Sequence, residues 1–240
     1  MMLLLKLLLA HLIGDFLIQP SSWVKNKEEK KLAAWQLYFH VLVHGALVLL
    51  LVWDWHFWAW ALLLSGTHLL IDACKLLFQN KNRKRVFFFI DQAIHLLSIY
   101  IIWWCYQGEV ISTTFLWSNK ILLFTTAFFL ITLPASVAIK IFISKWTPQT
   151  EDTEEGSLQS AGKYIGIFER LFVFAFIITD HWEAIGFLLA AKSVFRFGDL
   201  KESKDRKLTE YILIGTLLSF GLAVLTGLIY LRLQKGGSLY

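Results

Sequence analysis

Apolar residues run along this chain in long blocks separated by short polar connections. Eight blocks stand out, at roughly 1–19, 34–53, 57–78, 86–106, 121–144, 163–179, 183–198 and 210–232. None shows the two-residue alternation of a half-buried strand, and each reaches or approaches the ~20 residues that a helix needs to cross a bilayer. In lipid a helix satisfies its own backbone hydrogen bonds. The pattern therefore predicts an all-α fold, a polytopic membrane helix bundle of about eight transmembrane helices. The first block has the look of a secretory signal, yet His11 and Asp15 interrupt it and no small-residue cleavage site follows, so it reads as a retained first span. Pro20 closes that span, and Pro134 falls inside the fifth, where it predicts a kink.

One composition break divides the chain. Residues 145–162, with the run Thr150-Glu-Asp-Thr-Glu-Glu155-Gly, are polar and acidic and read as a cytoplasmic linker. The expected organisation is a five-helix region at 1–144, that linker, and a three-helix region at 163–240. The halves show no internal repeat, so inverted-repeat symmetry is not expected.

Composition supports the membrane reading. Hydrophobic residues make up 57% of the chain and the mean hydropathy is +0.57, too apolar for a soluble domain of 240 residues. The net charge of +5 lies in connections, a topology signal rather than a nucleic-acid footprint. The connections at 20–33, 79–85 and 199–209 hold Lys25, Lys27, Lys30, Lys31, Lys81, Arg83, Lys84, Arg85, Lys201, Lys204, Arg206 and Lys207. All three fall on one side of an eight-span chain. The positive-inside rule makes that side cytoplasmic and puts both termini on the non-cytoplasmic side of a plasma (inner) membrane. Tryptophans such as Trp23, Trp53, Trp58, Trp104 and Trp182 sit near the span ends as interfacial anchors. Cys74 and Cys105 form no ligand-type spacing and receive no role.

Ionisable residues inside the first four spans follow one rule. His11 and Asp15, His40 and His44, His68 and Asp72, and Asp91 and His95 are each spaced i, i+4, so each pair shares a helix face. A single such pair is explained by local bonding. Four in consecutive helices, using five of the seven histidines, point further. The spans alternate in direction, and the pairs come late, early, late and early along them. All eight side chains therefore converge at one depth, in the cytoplasmic half of the bilayer. Five imidazoles and three carboxylates suit a divalent transition metal, Zn first with Mn or Fe as alternatives, and suffice for one or two ions. Facing helices that contribute inward His and carboxylate ligands also build the two-metal sites of four-helix bundles. Asp72 or Asp91 is placed to bridge two ions, and a metal lowers the pKa of bound water towards ~7. Hydrolysis is thus the first chemistry expected, with Asp72, Asp91 and Lys75 as the candidate catalytic set. Lys75 follows Asp72 by three residues, to neutralise an anionic substrate, to pair with Asp72, or as a snorkelling anchor. Gln19 and Gln92 are near the same level, and Gly14 and Gly45 adjoin ligand positions where helices could approach closely.

The second half carries its own charges: Glu169, Arg170, Lys192, Arg196 and Glu210. They read as an ion-pair lattice or, in the case of Arg170, Lys192 and Arg196, as a substrate-binding cluster for a phosphate or carboxylate. Gly186 with Ala190, and Ser219 with Ala223 and Gly227, offer small residues for close helix packing.

HLIGDFLIQ from His11, HVLVHG from His40, HLLIDACK from His68 and DQAIH from Asp91, with GKYIGIFER, IGFLLAAKSVFRFG and EYILIGTLLSF later, resemble a bacterial integral membrane family known as domain of unknown function 3307. That resemblance implies a fold and a set of positions but no activity. The HxxxD helices are more distantly similar to membrane-bound metal-dependent hydrolases. They are similar in general design to intramembrane zinc amidases of the ceramidase type, from which this chain departs in having more His/Asp pairs and no clear serine partner. The expected function is a membrane-embedded metal-dependent hydrolase, acting at the cytoplasmic leaflet on a lipid or lipid-linked ester, phosphoester or amide. The alternative is a divalent-metal transporter or sensor using the same cluster. Against it, the outer halves of the first four spans offer almost no polar residues for an ion path.

Overall fold

The computed structural model describes residues 2–80, 83–106, 118–146, 155–202 and 206–236, and among them there is helix and no strand. Its helices are α1 (Met2–Ile13), α2 (Ser21–Lys30), α3 (Trp35–Val52), α4 (Trp58–Phe78), α5 (Lys84–Cys105), α6 (Asn119–Ile131), α7 (Leu133–Ile143), α8 (Glu155–Ile178), α9 (Trp182–Glu202) and α10 (Arg206–Gly236). Five stretches are long and apolar enough to cross a membrane: Trp35–Val52, Trp55–Phe78, Lys84–Cys105, Asn119–Trp146 and Glu210–Lys235. A sixth is added if Met2–Ile18 and Ser21–Ala33, bent by 87° where they join, count as one. The blocks at 163–179 and 183–198 are helical but fall outside this set, because Lys163, Glu169 and Arg170 interrupt α8 and Glu183, Lys192 and Arg196 interrupt α9. The acidic residues 147–154 lie outside the described residues, and α8 begins at Glu155, within the stretch expected to be linker.

Two compact units divide the chain, Met1–Phe129 and Leu130–Tyr240. In the first, α1 packs against α3 and α5, α3 against α4, and α4 against α5, closing a four-helix ring. One end of the ring's interior is apolar, filled by Leu7, Val48, Leu51, Phe57, Leu64, Ile99 and Ile102. The outward faces are apolar too: Leu42, Leu50, Leu62, Leu70, Leu97 and Ile101 are exposed, as a lipid-facing surface requires. What the ring encloses at its other end is polar.

That polar end is covered by α2, a ten-residue helix of low apolarity that the charge pattern alone presents as a lysine-rich connection. Besides the Lys27–Asp72 pair, three hydrogen bonds hold it at the ends of α4 and α5. Glu28 accepts hydrogen bonds from Gln79 (2.9 Å) and Lys84 (2.5 Å), and Lys31 Nζ donates to the Leu76 carbonyl (2.6 Å), one of the unpaired carbonyls at the C-terminus of α4. Lys31 takes φ 54°, ψ −128°, a backbone region that L residues rarely adopt and that costs about 1–3 kcal/mol. The chain thus accepts strain at the end of α2 to turn back into α3.

In the second unit α10 packs along α8 and α7, and α9 against α8, around Val173, Ile177, Phe220 and Ala223. The Ser219, Ala223, Gly227 ridge brings α10 close to α8: a Cβ added at Gly227 would lie 2.9 Å from the Ile177 side chain. Gly186 differs from expectation, since an added Cβ there meets nothing among the described residues. The predicted proline kink is a break at Thr132 between α6 and α7, two residues before Pro134, which lacks an N–H and crowds the carbonyl four residues back.

Candidate metal centre

Because α1, α3, α4 and α5 form a ring, the four i, i+4 faces point at one another. His11, His40, His44, His68, Asp72, Asp91 and His95 are all buried, and Asp15 is nearly so. The pairs do not satisfy themselves locally. His11 Nε2 is 3.9 Å from Asp15 and His95 Nδ1 is 3.7 Å from the Asp91 carboxylate, both beyond hydrogen-bond length. The close contacts run between helices. Asp15 Oδ1 has the Nε2 atoms of His44, His40 and His68 around it at 2.9, 3.2 and 3.8 Å. The Nε2 atoms of His40 and His68 face each other at 3.2 Å. Asp72 closes the other side, with one oxygen 4.0 Å from His40 Nε2 and the other 4.0 Å from His95 Nε2.

Local backbone features make this convergence possible. The chain passes from α1 into a π-helical turn at Gly14–Ile18, the wide turn often found at functional positions, and Asp15 lies in it. Gly14 has no side chain because His44 occupies the space: a Cβ there would fall on the imidazole. Gly45 likewise admits Ser65, whose Oγ would lie 2.8 Å from an added Cβ.

Three overlapping groups have ligand atoms within 4.8 Å of one another: His11, Asp15, His44 and His68; His40, His68 and Asp72; and Asp72, Asp91 and His95. These groups could hold a metal ion, and together they contain all eight of the side chains singled out in the sequence. The chemistry of the donors fits. Tetrahedral ligands at ~2.0–2.1 Å from zinc stand ~3.3 Å apart, within the 2.9–3.8 Å range of the separations among Asp15, His40, His44 and His68. His95 donates from Nδ1 to the Asp91 backbone carbonyl at 2.9 Å, the outer bond that orients a ligand imidazole. Its Nε2 is left without a hydrogen-bond partner among the described residues although the residue is 1% exposed. Asp91 Oδ1 is buried and unpartnered in the same way.

The sequence model of a family described as "Protein of unknown function (DUF3307)" matches residues 3–124. The chain belongs to this family. The DUF3307 match begins in α1 and ends within α6, so it contains the whole ring and every one of the eight ligand-type side chains. Neither a curated protein nor a solved structure matches the chain.

Beside the DUF3307 cluster are three residues that hold its carboxylates. Lys75 Nζ pairs with Asp91 Oδ2 at 2.8 Å rather than with Asp72, and sits 5.7 Å from the Phe88 ring centroid. Asp72 Oδ2 is held instead by Lys27 Nζ, also at 2.8 Å. Gln92 donates to Asp15 Oδ2 (3.0 Å) and Asp91 Oδ2 (3.3 Å), and its Oε1 faces His11 Nε2 at 3.3 Å. Gln19, expected at the same level, has a buried Nε2 without a partner among the described residues. Lys27 was not distinguishable in the sequence from its neighbours Lys25, Lys30 and Lys31, because only the sharp turn into α2 selects it.

The cationic residues expected to bind substrate lie in the second unit. Arg170 is buried and donates to the carbonyls of Ile131 (2.5 Å) and Thr132 (3.1 Å) and to the hydroxyls of Ser136 (2.5 Å) and Ser219 (3.0 Å). It therefore bridges the two sides of the break near Pro134, Ile131 and Thr132 before it and Ser136 after it. Lys192 pairs with Glu169 at 2.5 Å. The side chain of Arg196 lies outside the described residues.

Proposed function

We propose that this protein is a membrane-embedded, metal-dependent hydrolase that works at the cytoplasmic leaflet on a lipid or lipid-linked ester, phosphoester or amide. The observation that carries the reading is the meeting of eight ligand-type side chains from four helices at one level, nearly all of them buried. Burying that many imidazoles and carboxylates is costly unless something compensates them. His11, Asp15, His44 and His68 would hold the first ion, with His40, Asp72, Asp91 and His95 available to a second; zinc suits this donor set, as do Mn and Fe. A bound ion of this kind supplies a water acidified towards neutral pH and a Lewis acid for the scissile oxygen.

The protein's own residues supply the remainder. Asp91, whose Oδ1 has no hydrogen-bond partner among the described residues, is placed either to take a proton or to hold the second ion, and Lys75, part-exposed at the edge of the cluster, is placed to neutralise an anionic group. Cytoplasmic placement follows from the lysines. Lys27, Lys31, Lys75 and Lys84 all engage the polar end of the ring, and the positive-inside rule puts that end in the cytoplasm. With α8 and α9 counted as crossings, the chain spans eight times and both termini lie outside. Hydrolysis is favoured over transport by the opposite end. Past a small void lined by cluster histidines with Leu7, Val48, Leu64, Ser65, Ser98 and Ile99, the described interior is mostly apolar, and the buried Lys6, whose Nζ donates to the Val52 carbonyl (3.0 Å), sets an ammonium group against a cation path.

Incubating purified full-length protein with a total membrane-lipid extract and comparing products by mass spectrometry tests this. A cleaved lipid that is lost with chelator and with His44→Ala is expected. Zinc or manganese uptake into proteoliposomes without any lipid product would overturn it in favour of transport.

A further inference from the structure

The three ligand groups are not equivalent, and the difference lies in two ammonium groups. No lysine contact is found at His11, Asp15, His44 or His68 among the described residues. The group made by Asp72, Asp91 and His95 has a lysine on each carboxylate: Lys27 on Asp72 and Lys75 on Asp91, both at 2.8 Å. Yet this group also holds buried atoms without a hydrogen-bond partner among the described residues, His95 Nε2 and Asp91 Oδ1, as the other two groups do at His11 Nδ1 and His40 Nδ1. It is a cation site in donor chemistry whose charge is already balanced by side chains.

Resting on the metal-centre reading above, we infer that Asp72, Asp91 and His95 form a second, lysine-gated cation site, in which Lys27 stands where a divalent ion would balance Asp72. With the imidazoles neutral, three carboxylates against two ammonium groups leave the cluster a net charge of −1, so one divalent ion takes it to +1 and a second to +3 while both lysines stay. A second ion repels Lys27 at close range in a buried setting where screening is weak. It therefore binds by driving Lys27 out. Lys27 is carried by α2, so its departure loosens the helix that covers the polar end. The remaining holds on α2 are the exposed Lys84 bond to Glu28, the Gln79 bond, the edge-to-face packing of Trp23 on Trp35 and Phe39 of α3, and Lys31, whose backbone is strained in the docked position. Occupancy of the second site and opening of α2 are then one equilibrium. A full metal complement exposes the cluster to the cytoplasmic leaflet, and a half complement keeps it covered.

Zinc titration of the full-length protein in detergent against a competing chelator, with hydrogen exchange followed over α2, tests this directly. Wild type is expected to bind one ion tightly and a second at least tenfold more weakly, with faster exchange in α2 as the second enters. Lys27→Met should tighten the second step at least tenfold without changing the first, and Lys27→Gln should do the same if the charge rather than the packing is responsible. Asp91→Asn should abolish the second step and leave the first. Two steps of unchanged affinity in both Lys27 variants, or a single step in every protein, overturn the gate while leaving the metal centre intact. Binding of no ion by wild type overturns the metal reading itself and the gate with it.

Discussion

Gly14 and Asp54 mark the two ends of the ring, and both can be tested by single substitutions. A methyl group at Gly14 occupies the position of the His44 ring. Gly14→Ala should displace that ligand, with a loss of about 1–3 kcal/mol from overpacking and a fall in metal affinity of roughly tenfold or more. A chelator-competition titration beside a thermal unfolding curve measures both, and unchanged affinity would remove His44 from the centre. At the opposite end, in the turn between α3 and α4, burial alone would raise the Asp54 carboxyl. The His56 backbone N–H (3.0 Å), the His56 imidazole (3.2 Å) and the Tyr106 hydroxyl (3.2 Å) outweigh it and hold the group below its ordinary value. A carboxyl whose pKa is lower in the folded state stabilises the fold above the unfolded value, ~3.9, and loses that contribution as pH falls through the folded value. The stability gap between wild type and Asp54→Asn should be constant above about pH 5 and shrink below about pH 4. Thermal unfolding across that range checks this, and a gap that does not change would contradict it.

Among the elements, the α6–α7 break and α2 show what a sequence does and does not disclose. Pro134 announces the break, since its missing N–H is a local property. The residue that bridges it, Arg170, is 39 residues from Ile131 in the chain, and in the sequence it reads as an ion-pair partner ahead of an anion binder. Arg170→Met removes a donor from the Ile131 carbonyl and one of three from the Thr132 carbonyl, which also accepts from the Ser136 N–H and hydroxyl, and should cost about 1–3 kcal/mol, from ~1–3 kcal/mol per unsatisfied buried group. Arg170→Lys should recover only part of it, because an ammonium lacks the planar fork. Equal unfolding temperatures for Arg170→Met and wild type would show that the carbonyls do not depend on it. The four ligand pairs were legible for the same reason as Pro134: i, i+4 spacing is local, and the alternation of helix direction supplies their common depth. The contact of Lys27 with Asp72 spans 45 residues and depends on an 87° bend, and the π-turn at Gly14–Ile18 leaves no composition signal. Non-local geometry of that kind has no counterpart in periodicity.

At the scale of the molecule, one unit contains the DUF3307 match through Leu123 and Phe124 together with the complete ligand set, while the other is held by its own core and by Arg170 and Lys192. The first unit inverts the usual arrangement, apolar outside and polar within at one level, and the proposed cation would compensate the buried charge that Lys27 and Lys75 leave over. Metal content of the purified wild-type protein, measured by elemental analysis beside His44→Ala with Asp72→Ala, tests this most directly. The account predicts one or two equivalents of zinc, manganese or iron per chain in wild type and near-complete loss in the double variant. Wild type free of transition metal after growth in metal-replete medium, or a double variant that retains its metal, would contradict it.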